Sequence, residues 1–205
     1  MIYINTFESF QKASVLIIID VQKSFSKFYT DNYLKQLNNY CKSFDRVYQV
    51  WDNHVEGTNV DKDYLYDEDP DVELNDDLYK FPNQVEKIEK RYNYDVDADF
   101  YKNILDIKTY KEIKSKEADN SLKRGDVFKT KEETYLIYIG NNHKWYHVGK
   151  KLQDIFLELS GKEVIMVGGS DQECFLDVET AAKSFGVRVK RNPKYIYSAT
   201  KCPIK

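Results

Sequence analysis

The sequence predicts an α/β fold, a single doubly wound domain spanning residues 1–205, with a mostly parallel central sheet, helices on both faces and a β-hairpin insertion. Three observations carry that expectation. Segments 14–20, 46–51 and 163–167 are short runs rich in apolar and β-branched residues, as strands covered on both faces are, and each ends at a polar or glycine-containing turn. Segments of helical period alternate with them, the rhythm of strand-helix-strand units. A chain of 205 residues sits near the size of one domain, about 100–200 residues, with room for an insertion.

The first strand, 14–20, is closed by Asp20, which places that carboxylate at the strand's C-terminal edge. From 31 to 44, Tyr33, Leu34, Leu37, Tyr40, Cys41 and Phe44 recur at steps of three and four, with Thr30 or Asp31 as the cap. That spacing predicts an amphipathic helix and assigns Cys41 to packing. The strand 46–51 follows, ending at Trp51 and Asp52. Residues 60–78 form an acidic loop: nine carboxylates against Lys62 in 61–77 leave a local charge of −8, and self-repulsion with Pro70 keeps such a segment on the surface. Its spacing lacks the ordered carboxylates of a calcium loop.

A lysine-rich and β-hairpin segment at about 108–148 interrupts the alternation. Lys108, Lys111, Lys114 and Lys116 open it, 135–139 and 145–148 read as strands, and Gly140-Asn141-Asn142 supplies the turn. His143 and His147 stand four apart, a metal-binding spacing on a helix but about 13 Å on a strand, which is the reading their surroundings favour. A helix over 150–159 restores the α/β rhythm. Strand 163–167 then leads through Gly168-Gly169-Ser170 into a helix from Asp171 to the stop at Gly186, with another strand from Val187. Cys174 therefore falls in the first turn of a helix at the carboxyl end of a central strand.

Composition narrows the function classes. Thirty-one basic and 34 acidic residues give a net charge of −3, which supplies no global attraction to nucleic acid or anionic lipid. A 41% hydrophobic share with seventeen Tyr supports a folded core. The strongly apolar stretch 15–19 is far short of a membrane span, and the N-terminal residues lack a secretory pattern, so the expectation is a cytoplasmic protein with no membrane partner. Three cysteines without a CxxC pair suggest neither a disulfide framework nor a thiolate metal site.

Four pieces then occur in order. They are Ile19-Asp20-Val21-Gln22 with Phe25; Trp51-Asp52-Asn53-His54; Lys90 followed by Val96-Asp97-Ala98-Asp99-Phe100; and Val167-Gly168-Gly169-Ser170-Asp171-Gln172-Glu173-Cys174-Phe175 with Thr180-Ala181-Ala182. Together they resemble the isochorismatase-like cysteine hydrolases, in the nicotinamidase-like branch, over 14–100 and 150–198. The resemblance implies a triad of Asp20, Lys90 and Cys174, and an oxyanion site next to a cis peptide between Gly169 and Ser170. It implies metal ligands at Asp52 and His54, for a divalent ion such as zinc, and self-association as a homo-oligomer. The chain departs from the pattern in two ways. No histidine occurs between His54 and His143, and the segment after Lys90 carries two extra charges at Asp97 and Asp99.

The residue types suit the chemistry independently. A helix N-terminus and a nearby ammonium lower a thiol's pKa and so raise the thiolate available to attack an acyl carbon. Cys174 has the first, and Lys90 would supply the second, with Lys87 as the rival and a solvated charge as the plainer reading of either. Asp20 would orient the lysine and carry a proton. Phe25, Trp51 and Tyr92 lie beside motif residues and suit a small planar amide such as nicotinamide, although aromatics at such positions also serve as core.

The resulting expectation is a cysteine amidohydrolase that converts a small amide to acid and ammonia through a thioacyl intermediate. The alternative is a catalytically divergent hydrolase-fold protein acting as a binding or assembly module. Nucleic-acid binding through Lys123-Arg124 and Lys150-Lys151 is a third reading, opposed by the acidic loop.

Overall fold

The computed structural model describes residues 15–51, 78–90, 93–94, 102–140 and 144–198. In chain order the elements are β1 (Val15–Ile19), a 3-10 helix (Lys23–Phe28), α1 (Asp31–Cys41), β2 (Arg46–Trp51), β3 (Gln84–Glu89), β4 (Asn93–Tyr94), α2 (Ile107–Ala118), β5 (Val127–Lys129), β6 (Tyr135–Tyr138), β7 (Trp145–Val148), α3 (Lys150–Glu158), β8 (Glu163–Gly168), α4 (Cys174–Ser184) and β9 (Arg188–Ile196). The central sheet has the order β3-β2-β1-β8-β9, and every neighbouring pair runs parallel. The doubly wound α/β expectation holds.

Side-chain alternation divides β1 between two cores. Leu16 and Ile18 join Tyr33, Leu37 and Cys41 of α1, with Phe25, Val47 and Val167, on one face. Ile17 and Ile19 join Leu152 and Phe156 of α3, and Phe175, Val178 and Ala181 of α4, on the other. All four β1 side chains are fully buried, which is why the strand reads as an unbroken apolar run. Thr30 caps α1 by accepting from the Tyr33 N–H at 3.2 Å.

The insertion is larger than a hairpin. Its two expected strands are β6 and β7, and β5 and β4 extend them into an antiparallel sheet of order β4-β7-β6-β5. The lysine-rich segment is the helix α2, started by Asp106, which accepts from the Thr109 N–H at 2.9 Å. Ile113 of α2 packs with Phe128, Leu136 and Trp145 on the outer face of this sheet. Ile137, Tyr146 and Val148 on its inner face belong to the core of α3, α4 and the parallel sheet. The inserted layer is thus welded to the domain through apolar burial, worth about 1.5–3 kcal/mol per large side chain.

Strand β3 was not evident from the sequence, because Gln-Val-Glu-Lys-Ile-Glu is polar at most positions. It lies at the edge of the sheet, where among its six residues only Ile88 is buried. Of the acidic segment 60–78 only Leu78 falls among the described residues, forming an antiparallel bridge to Gln22. No helix among the described residues is long and apolar enough to cross a membrane.

Candidate active site

In an open parallel sheet, a crevice opens at the carboxyl ends of the strands where the order reverses, here between β1 and β8. A row of backbone hydrogen bonds fixes the residues just beyond these ends. The Lys90 N–H donates to the Trp51 carbonyl at 2.9 Å, Asp20 to Val50 at 2.9 Å, Gly169 to Ile19 at 3.0 Å and Tyr197 to Gly168 at 3.0 Å. The ladder therefore continues one residue past each strand, and Asp20, Lys90 and Gly169 share one rim.

On that rim Lys90 donates through Nζ to Asp20 Oδ2 in a short ion pair. Asp20 is 1% and Lys90 2% exposed, so the lysine is buried rather than solvated, and it is Lys90 rather than the half-buried Lys87 that reaches the carboxylate. Asp20 has φ 51°, in the left-handed region that aspartate tolerates better than most residues. The Tyr197 hydroxyl, donating to the Asp20 carbonyl at 2.6 Å, holds that conformation.

On the other side of the switch point, β8 ends in Gly168 with φ 106°. A Cβ there would lie 2.0 Å from the Ile19 carbonyl oxygen, so the close approach of β8 to β1 requires glycine. Gly169 lies against Tyr197, whose ring would stand 2.3 Å from an added Cβ. The Gly169–Ser170 peptide is cis. The Ser170 carbonyl accepts from the Glu173 and Phe175 N–H groups at 3.1 and 3.0 Å, turning the chain into α4. The helix begins at Cys174 rather than at Asp171, because residues 171–173 form this turn. The Cys174 thiol is half-buried, in contrast to Cys41, which α1 buries completely.

Electrostatic neighbours connect these pieces. Burial foremost, then Asp20, Tyr29, Tyr33 and Cys174, push the Tyr197 phenol well above its ordinary value. Asp20 and Cys174 also both act on the Tyr146 phenol, which burial likewise raises. The two candidate residues thus share two tyrosine neighbours. Neither Tyr197 nor Tyr146 was singled out in the sequence. Tyr197 follows the carboxyl end of a parallel strand, a position that could have flagged it, whereas a tyrosine in an aromatic hairpin gives no such signal.

The remaining sequence candidates separate. Phe25 is buried in the 3-10 helix, packed in the α1-side core with its ring 6.4 Å from that of Phe28. Trp51 is half-buried at the end of β2, beside Lys90 along the backbone ladder. Tyr92, Asp52 and His54 lie outside the described residues, as does His143. His147 is on β7, as expected, with Nε2 2.6 Å from Thr134 Oγ1. Among the described residues no group of three or more His, Cys, Asp or Glu side chains is arranged to hold a metal ion. Comparison with known proteins found no matching family model, no matching curated protein and no matching solved structure.

Proposed function

We propose that the protein is a cysteine-dependent hydrolase that cleaves a small amide, nicotinamide-like in class, to the acid and ammonia. The observation that carries this reading is the buried Asp20–Lys90 ion pair on the rim where α4 begins with Cys174. A charged pair withdrawn from water is costly to keep, and catalytic sites are where such pairs are put to use.

In this reading Lys90 and the N-terminus of α4 favour the Cys174 thiolate, and Asp20 takes the thiol proton. Sγ attacks the amide carbon, and the negative charge moving onto oxygen is met by the backbone N–H groups of Cys174 and Ser170. As the C–N bond breaks, Asp20 returns the proton to the leaving nitrogen and ammonia departs, leaving a thioester. Water then gives its proton to Asp20 and its oxygen to the acyl carbon, and the acid leaves as Cys174 regains its proton. A divalent ion at Asp52 and His54 belongs to the proposal on the strength of the resemblance alone, as do cytoplasmic location and self-association.

The test is a screen of small amides for ammonia release. Cys174→Ala is expected to lower turnover by at least about a thousandfold, since no other described residue on the rim is a comparable nucleophile. Retained turnover in that variant overturns the assignment of the nucleophile. If no amide is hydrolysed and Cys174 resists iodoacetamide at pH 7, the binding or assembly reading replaces this one.

A further inference from the structure

Tyr146 lies on β7, in the inserted layer, and is 0% exposed. It faces Asn93 of β4 on one side and Ile137 of β6 on the other. Asn93 is three residues beyond Lys90, so the β4–β7 pairing brings the segment that carries Lys90 to Tyr146. Its ring also belongs to the core that includes Phe175 and Val178 of α4, the helix that starts at Cys174. The tyrosine therefore pairs along its backbone with the strand that follows Lys90, and its ring shares a core with the helix that starts at Cys174.

Its hydroxyl has no hydrogen-bond partner among the described residues. A buried donor left without an acceptor carries a desolvation cost, so such a group in a folded protein calls for an explanation. A phenylalanine would fill the same space without that cost. The charges that act on the hydroxyl are those of Lys90, Asp177, Asp20 and Cys174, which ties it electrostatically to the candidate site. Burial, the largest influence, keeps the phenol protonated with Lys90 pulling the other way, so the group donates and does not act as a base.

We propose that the Tyr146 hydroxyl is a substrate-positioning donor, contributed by the inserted sheet, that holds a neutral hydrogen-bond acceptor of a small amide beside Cys174. This rests on the amidohydrolase reading for its substrate class. It gives the insertion a task at the site, and it supplies an acceptor for a buried donor that has none among the described residues.

Two alkylating reagents test it through Cys174 itself. Iodoacetamide carries an amide, and iodoethane carries no hydrogen-bonding group. In both reactions Sγ forms a bond to carbon and iodide leaves. Modification is followed at Cys174 by peptide mass spectrometry in wild type and Tyr146→Phe. This keeps Cys41 apart, whose thiol burial pushes up to about 12. The expected result is a fall of about tenfold in the iodoacetamide rate with the iodoethane rate held within about twofold, and a melting temperature unchanged or raised.

Equal rates for both proteins, a parallel fall with both reagents, a wild-type Cys174 inert to iodoacetamide, or a lowered melting temperature overturns the proposal. A wild type that hydrolyses no amide yet shows the selective fall removes the hydrolase reading and keeps Tyr146 as a recognition residue. Amide turnover with no selective fall does the reverse.

Discussion

Asp20 and Lys90 form an ion pair that the fold withdraws from water. Removing one partner from a buried pair takes away the other's counter-charge, at a cost of about 3–5 kcal/mol, whereas removing both charges costs much less. Asp20→Asn and Lys90→Met are each expected to lower unfolding stability by about that amount, with the double variant closer to wild type than either single, as measured by urea denaturation. Additive losses would show that the two groups are not coupled. Asparagine is the right probe because it tolerates the left-handed backbone at position 20. The identity of Asp20 and Cys174 as candidates was legible in the sequence, since both stand at transitions out of apolar strands. The burial of Lys90 was not, because a lysine among Glu86, Lys87, Glu89 and Arg91 looks like a solvated charge until the fold turns its side chain inward.

At the scale of elements, the placement of Cys174 depends on how α4 is tied to β9. Arg191 of β9 grips Glu179 of α4 as a fork, with Nε 3.0 Å from Oε1 and Nη2 in short contact with Oε2, while Lys183 reaches Oε1 at 2.9 Å. The same guanidinium lies over the ring of Phe175, 5.0 Å from its centroid. Burial pushes the Glu179 carboxyl up, but the hydrogen bonds from Arg191 and Lys183 outweigh it and hold the group below the ordinary glutamate range. A depressed carboxyl contributes stability above its unfolded pKa, near 4.3, and loses it as the pH falls through the folded value. Glu179→Gln should therefore cost about 1–2 kcal/mol at pH 7, a modest figure because Arg191 is partly exposed, and the gap to wild type should close as the pH falls below about 4. A gap that is constant with pH in denaturation curves would contradict this account. The elements themselves were partly legible. β1, β2 and β8 announce themselves by apolar runs, and α1 by its stripe. β3 does not, because an edge strand needs only one buried side chain, and an alternation of charges around Ile88 carries too little signal.

The whole molecule is layered, and the insertion shares its inner core with α3, α4 and the parallel sheet. A separately folding appendage would melt on its own, whereas a shared core predicts one transition. Ile137→Ala, which truncates a side chain with no exposure on β6, is expected to destabilise the entire chain by about 2–5 kcal/mol. Circular dichroism and tyrosine fluorescence should report the same midpoint, and two separated transitions would refute the single core. The sequence disclosed the hairpin but not this union, because a strand's period shows that it has a buried face without saying what that face meets.

The clamp of Tyr197 on the Asp20 carbonyl joins residues 177 apart in the chain, and the Asp20–Lys90 pair joins residues 70 apart. During synthesis Asp20 and Lys90 leave the ribosome well before β9 exists. Closing such long loops has an entropic cost that local contacts cannot offset, and folds dominated by distant pairings assemble slowly. The rim is accordingly a property of the finished sheet. A nascent chain can hold every other candidate residue and still lack the geometry around Asp20, so the rim is assembled only when the fold is complete.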